Sequence, residues 1–302
     1  MLLTDIDSNI VYFSEWVKDF TCYDTIIEKL TKHQIKYALL PHTRDYWVRD
    51  FMPIQISDSE FIQYKYNPNY LQKEQYYITN PDRAYNHLSI STKRIDVVLD
   101  GGNIVKCSDC IIMTDKVFIE NSHLSKIQLI NMLENLFRCE IVFIPWDRYE
   151  KYGHADGMVR YIDDRKVLLN NYINFDKSLR SQIINVLQNK LADWIERYYS
   201  DDFDFDLLSG GSGTIIYLLK LYDRIKEERL LLLCKKIALN IIRNAIITND
   251  DSLSWITKFG KTHTGFSHGT SGIAFSLFKL NAYLPDEEIK LAAIKALNFE
   301  LK

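Results

Sequence analysis

The chain has 302 residues, 47% hydrophobic and 25% charged, with a formal net charge of -3. That length suits two domains or one large core, and a charge so near neutral argues against a nucleic-acid or anionic-membrane partner. Acidic residues in the opening "MLLTDIDSNIVYF" occupy the place where a secretory leader needs an apolar core, so no leader is expected.

From Val11 to about Asn171, short β-branched or aromatic runs are bounded by turn residues: "IKYALL" (35–40), "FIQYKY" (61–66), "DVVL" (96–99), "NIVKC" (103–107), "CIIMT" (110–114) and "EIVFIP" (140–145). "LSKIQLINMLENLF" (124–137) spaces apolar residues at three and four, as a helix packed on a sheet does. "MVRYI" and "KVLLNNY" flank "DDR", a hairpin signal. The expectation is an α/β half built of ββα-like units.

After about Ser181 strand signals end, and the long runs read as helix: "SQIINVLQNKLADWIERYY", "TIIYLLKLYDRIKEERLLLLCKKIALNIIRNAI" and "DEEIKLAAIKALNFEL". Lys235, Lys236 and Arg243 break the most apolar of them, so it cannot span a bilayer. A boundary near 185–205 separates an expected α/β domain (1–190) from an all-α domain (200–302). "SGGSGTIIYLLKLY" (209–222) and "SHGTSGIAFSLFKL" (267–280) repeat a Gly-rich turn feeding an apolar helix, with Ser212-Gly213 and Ser271-Gly272 59 positions apart. Stacked helix pairs follow from that pattern, and such arrays need about three repeats, so this half reads as incomplete.

Three stretches carry chemistry: "TRDYWVRDFMP" (43–53), "LDGGNIV" (99–105) and "GHADG" (153–157). They offer three acids (Asp50, Asp100, Asp156), an aromatic (Trp47) and a histidine (His154) that titrates near neutrality. Paired carboxylates suit a planar guanidinium, which they hold bidentately, and a neighbouring His moves protons. Taken singly, each stretch is more often a surface turn or a glycine-dependent tight turn.

In this order, the pattern W-x-R-D, then [DE]-G-G-[NS], then G-H-x-D-G resembles the agmatine deiminase and bacterial peptidylarginine deiminase family over about residues 8–190, including "VYFSEW" and "FMPIQ". The resemblance implies a pseudo-fivefold α/β propeller, only part of which this chain would form. It also implies a reaction in which a cysteine thiolate attacks a guanidinium carbon, ammonia leaves and water releases a ureido product. On that resemblance Asp50 and Asp156 hold the guanidinium and His154 is the general acid/base. Trp47 and Arg49 contact the substrate, and Asp100, Gly101 and Gly102 shape the pocket floor. Asp100 stands where many members carry a glutamate. The family's nucleophilic cysteine, in a Gly-rich stretch near the C-terminus, has no counterpart here. Cys22 precedes every motif, Cys107 and Cys110 form "CSDC", Cys139 opens a strand and Cys234 lies inside an apolar helix. Five cysteines without framework spacing fit free thiols in a reducing compartment, hence a cytoplasmic location.

"DLLSGGSGTIIYLLKLY" and "GFSHGTSGIAFSLFKL" resemble the opening repeats of lanthionine synthetase C-like cyclases over about residues 204–302. That resemblance implies part of an αα-toroid, with His268 as a second-site histidine; a helix-start turn histidine donating to backbone is the other reading. The family's zinc ligands lie in later repeats, so no metal and no cofactor is expected. The resulting expectation is a guanidine-group hydrolase turning agmatine into N-carbamoylputrescine and ammonia, inactive as this chain for want of the nucleophile. The alternatives are a thioether-cyclising module and a non-catalytic guanidinium-binding protein. The expected partners are a small guanidinium such as agmatine or a peptide arginine side chain, together with self-association through uncovered apolar faces.

Overall fold

The structure is a computed structural model describing residues 2–163, 166–170, 176–199, 204–249, 251–257 and 260–301. The "DDR" turn signal therefore lies outside the described residues at positions 164 and 165, as do positions 200–203 of the second half's first island and 258–259 of its last. The chain divides into two compact units, Met1–Val186 and Leu187–Lys302.

The first unit is α/β. Strand β1 (Val11–Ser14) pairs in parallel with β2 (Tyr37–Leu40) across helix α1 (Tyr23–Lys32). A short helix α2 (Val48–Phe51) then leads into β3 (Ile54–Gln55) and β4 (Phe61–Lys65), an antiparallel pair. After α3 (Pro81–Tyr85), β5 (Thr92–Val98) returns parallel to β4. The same topology follows again. β6 (Val105–Lys106) and β7 (Cys110–Thr114) pair antiparallel, α4 (Lys116–Glu120) and α5 (Lys126–Phe137) cross over, and β8 (Glu140–Ile144) returns parallel to β7. These are the ββα-like units expected from the strand runs. Ser125 caps α5 through a reciprocal box with Gln128, and α5 buries Leu129, Leu133 and Phe137 in the same core as Ile111 and Met113 of β7. A β9 (Val159–Asp163) and β10 (Lys166–Leu169) hairpin follows the GHADG turn.

Helix α6 (Lys177–Tyr198) runs through the division between units. The second unit contains α7 (Gly211–Ile225), α8 (Glu228–Arg243), a hairpin of β11 (Ile246–Asn249) and β12 (Ser252–Ser254), α9 (Thr270–Tyr283) and α10 (Glu287–Glu300). Two sequence expectations need correction. The second half is not all-α, because the β-branched run Ile246-Ile247-Thr248 pairs with Ser252–Ser254 before Trp255 enters the core. The 214–246 stretch is not one helix either: Lys226 takes φ +56°, a left-handed cap that ends α7 and starts a helical hairpin.

The repeat is real at the level of single atoms. Gly211 N donates to Asp204 O, and Thr270 N, 59 positions later, donates to His263 O, 59 after Asp204. A Cβ on Gly213 would lie 2.2 Å from Leu207 O, and one on Gly272 would lie 2.0 Å from Phe266 O. In both copies a preceding loop crosses the helix start so closely that only glycine fits. Ile215, Leu218, Ile237, Ile273, Leu277 and Ala296 form the core beneath.

Candidate functional site

Gly102 ties the three sequence motifs of the first unit together. It sits in the 3₁₀ turn Gly101–Asn103 that ends β5, and its N–H donates to Asp50 Oδ1 at 2.9 Å. Its carbonyl accepts from the Asp156 N–H at 3.0 Å. A Cβ here would lie 2.4 Å from His154 Nδ1 and 2.8 Å from Asp50 Oδ1. The glycine is thus required by close approach of side chains from two other motifs. Gly101 is required for a different reason, since a Cβ there would lie 1.9 Å from the Arg49 carbonyl oxygen.

His154 stands between two acids. Its Nε2 is 3.2 Å from Asp100 Oδ2 and its Nδ1 is 3.7 Å from Asp50 Oδ1, with all three side chains nearly buried. The turn that carries it is held from both sides. Gly153 adopts φ +66° with its α-carbon against the Trp146 indole, and its carbonyl lies 2.7 Å from the Thr114 hydroxyl. Gly157, the other flanking glycine, has no comparable crowding. Tyr70 and Tyr152 ring the imidazole with centroids 5.8 and 5.9 Å away, and the Tyr64 hydroxyl donates to the Asp50 carbonyl.

The charges set the chemistry. Burial pushes the Asp50 carboxyl up to about 6, with His154 opposing and Asp100 reinforcing the rise. Burial opposes protonation of His154, but its hydrogen bond to Asp100 and the charges of Asp50 and Asp100 carry its pKa above the ordinary imidazole value. Burial also raises Asp156, against the pull of Arg49 and His154. An imidazole whose pKa is raised between two carboxyl groups can deliver or take a proton.

Arg49, expected against the substrate, is held here by three groups of the protein. Its Nε is 3.2 Å from Asp156 Oδ2, one terminal nitrogen is 3.2 Å from Asp5 Oδ2, and the other donates to Ile104 O at 2.8 Å. It is engaged by the protein's own acceptors and fills the Asp156 arm of the expected clamp. The cavity beside it, about 30 Å³ and lined in part by Asp5, Arg49 and Asp156, has room for a water or two. Trp47, expected against the substrate, has its side chain 66% exposed just before α2, because the α2 turn points Val48, Asp50 and Phe51 inward. Asp50, Asp100, Gly101, Gly102, His154 and Asp156 do come together.

Lys116, Glu120, Tyr64, Tyr70 and Tyr152 were missed by sequence reading. Lys116 and Glu120 at i and i+4 look like an exposed helix pair, yet both side chains are buried. The one available signal was their position directly after the fully buried strand β7.

The cysteines lie elsewhere in the secondary structure. Cys107 and Cys110 close the β6–β7 hairpin, with Cys107 N donating to Cys110 O at 2.8 Å. Contact with Cys110 and burial push the Cys107 thiol up, and burial pushes Cys139 and Cys234 each up to about 12. Cys22 is exposed ahead of α1. In the second unit, His268 Nδ1 lies 2.7 Å from Asp206 Oδ2. Among the described residues no group of three or more His, Cys, Asp or Glu side chains is placed to hold a metal ion. Among them also, no helix is long and apolar enough to cross a membrane.

The sequence profile of the Porphyromonas-type peptidyl-arginine deiminases matches residues 9–194, more than half of the chain. The chain belongs to that family. A second profile, for lanthionine synthetase C-like proteins, matches residues 157–302, so positions 157–194 of this deiminase-family chain fit both. No curated protein matches. Among solved structures, DDAH from Pseudomonas aeruginosa in complex with citrulline is 14% identical, with a TM-score of 0.37 over 56% of this chain and 65% of that one. A dimethylarginine dimethylaminohydrolase adduct with S-methyl-L-thiocitrulline is 12% identical, with a TM-score of 0.38 over 56% and 65%. The adduct of that enzyme with 4-chloro-2-hydroxymethylpyridine gives 12% and 0.37 over 57% and 72%. The chain thus spans 65% of the length of the first two.

Proposed function

We propose that the first unit binds a guanidinium group at Asp50, Asp100, His154 and Asp156, and that the chain hydrolyses it at a negligible rate. The observation that carries this reading is Gly102. One residue's N–H and C=O join the motif of Asp50 to the motif of His154 and Asp156, and its missing side chain leaves room for both. Around His154 the acidic side chains Asp50, Asp100, Asp156 and Glu120 outnumber the basic side chains Arg49 and Lys116, an excess that an incoming guanidinium reduces. For it to engage Asp156, Arg49 swings onto Asp5, which it already touches.

His154 would protonate the departing ammonia and then activate water, while Asp50 and Asp156 hold the planar group. Covalent attack needs a thiolate at the guanidinium carbon, and thiols held as high as Cys107, Cys139 and Cys234 supply little of it at neutral pH. Agmatine, giving N-carbamoylputrescine in a turnover, and a peptide arginine both present the required group. This reading assigns residues 1–190 to a deiminase-type portion assembled from propeller units, and 200–302 to stacked helix pairs of toroid type. Titration calorimetry with agmatine and with a blocked arginine peptide, beside an ammonia-release assay, tests it. Binding without turnover is expected. Absence of binding by both ligands overturns the site, and ammonia release at an ordinary enzymatic rate overturns the inactivity.

A second reading draws on the second unit, where His268 and Asp206 meet between the two repeated turns: a peptide-modifying module of lanthionine synthetase C type. Zinc bound stoichiometrically by the purified chain would favour it. Self-association belongs to either reading, because Leu291, Ile294 and Leu297 of α10 are 53, 40 and 39% exposed. Light scattering that finds only a monomer removes it.

A further inference from the structure

Lys116 is fully buried at the start of α4, and its Nζ lies 2.8 Å from Asp100 Oδ2 and 3.2 Å from Glu120 Oε1. Asp100 Oδ2 is also the atom that faces His154 Nε2 at 3.2 Å, whereas Asp100 Oδ1 is buried with no hydrogen-bond partner. One carboxylate oxygen is therefore shared between an ammonium and an imidazole, and nothing on the other oxygen restrains rotation of the group. The same ammonium sits 4.7 Å from the centroid of the Tyr70 ring, whose edge meets His154. Glu120 Oε1 accepts the Asn69 N–H at 3.0 Å, which pins the turn carrying Tyr70 above Lys116. A buried ammonium serves stability poorly, since an apolar side chain of similar volume usually does as well or better. Its retention next to a proton-carrying pair points to a role in that pair.

We propose that Lys116 is a positioning residue: its Nζ holds the Asp100 side chain turned so that Oδ2 receives His154 Nε2. The inference rests on the guanidinium-site reading for its purpose but not for its geometry. Among the described residues, the groups facing the pair are Asp50 and Arg49 from α2, Tyr64 from β4 and Tyr66 just after it, Tyr70 from the turn at 69–71, Glu120 from α4, and Tyr152 and Asp156 from the site loop. The basic side chain among them is Arg49, which is committed to Asp156 and Asp5. Without Lys116, Asp100 Oδ2 keeps only the imidazole as a partner and Oδ1 keeps none, so nothing fixes the carboxyl's rotation toward His154. His154 then loses the acceptor at Nε2 whose hydrogen bond raises its pKa.

The test follows the His154 ring in the full chain labelled with ¹³C and ¹⁵N at histidine, its resonances assigned by their loss in His154→Gln. In Lys116→Met the His154 titration midpoint should fall by about one pH unit and the ring nitrogen shifts should report loss of the Nε2 hydrogen bond; Lys116→Arg should keep both near wild type. An unchanged midpoint in folded Lys116→Met overturns the proposal. So does a raised midpoint, which would mean that Asp100 stays in place without Lys116, whose charge merely opposes the imidazolium. Should Lys116→Met fail to fold, Lys116→Gln, which keeps a donor but not the charge, is read by the same criteria. Agmatine titration of the wild-type chain runs alongside. Failure there removes the guanidinium reading and leaves the Lys116 result intact, and the converse outcome removes only Lys116.

Discussion

His154 and His268 each face an aspartate, and the two aspartates respond in opposite ways. Asp50, beside His154, accepts one backbone N–H and shares its surroundings with Asp100 and Asp156, so burial dominates and lifts it to about 6. Asp206, beside His268, is also buried, yet it accepts from His268 and from both the N–H and the hydroxyl of Ser209. Burial still pushes it upward, but those donors together win and hold it below the ordinary carboxylate value. Burial alone thus does not set an acid's charge; the balance between donors and neighbouring acids does. The acid-rich arrangement is the one suited to receiving a cation, and the donor-rich one to holding a turn.

The most damaging way to probe both regions is to fill their glycines. Gly101→Ala places a Cβ 1.9 Å from the Arg49 carbonyl, and Gly272→Ala places one 2.0 Å from the Phe266 carbonyl. Backbone cannot yield as a side chain does, so each substitution should cost about 3 kcal/mol or more. Urea unfolding of the two variants measures this, and a wild-type midpoint in either would show that the close approach is not needed. Gly102→Ala collides with side chains instead. It should destabilise less, by about 1–2 kcal/mol, while abolishing detectable agmatine binding.

The opposite responses predict opposite pH behaviour. Asp50 is raised, so its contribution to stability is complete below its unfolded pKa near 4 and lost as pH climbs to about 6. His154 is raised too, so its contribution is present below about 6.5 and lost as pH rises through its folded value. Asp206 is lowered, so its contribution is present above about pH 4 and lost as pH falls. Calorimetry between about pH 4 and pH 8 should show the first unit's transition falling as pH rises, by at most about 3 kcal/mol from Asp50, and the second unit's transition falling on the acid side. Asp50→Asn should flatten the first trend and leave the second. Parallel movement of both transitions would contradict the contrast.

Smaller effects sharpen the comparison. Asp206→Asn turns an acceptor into a donor toward His268 and should cost about 1 kcal/mol, the loss being reduced because His268 is partly exposed. Trp47→Ala should change stability by no more than about 0.5 kcal/mol, because the indole faces solvent. A larger loss would place Trp47 in contacts beyond its turn.

Much of this architecture was legible in the residues. The β-branched runs of the first half became strands, and "LSKIQLINMLENLF" became α5 from its apolar spacing and Ser125 cap. The 59-residue repeat appeared as paired hydrogen bonds at that same offset. These are local matters, in which a side chain's branching, a cap or a glycine acts on its own stretch of backbone. The order of the Asp50, Gly102 and His154 motifs also pointed to a shared pocket, but only through its resemblance to the deiminase family's pattern, since each stretch alone reads as a turn.

Other features depended on partners far away in sequence. Arg49 could not be told from a substrate-facing residue until its contact with Asp156, 107 positions on, was visible. Lys116 and Glu120 resemble a solvated helix pair, and only the folded chain buries them, with Lys116 against Asp100 and the Tyr70 ring. Ile246–Asn249 sits among helical runs and pairs as a strand because Ser252–Ser254 folds back on it. Sequence by itself determined which segments form helices, strands and tight turns, since those follow from short-range sterics and periodicity. Tertiary structure decided which charges are buried, which cation each carboxylate holds and where the imidazole sits, because the energy of a buried charge depends on neighbours that only the folded chain brings within reach.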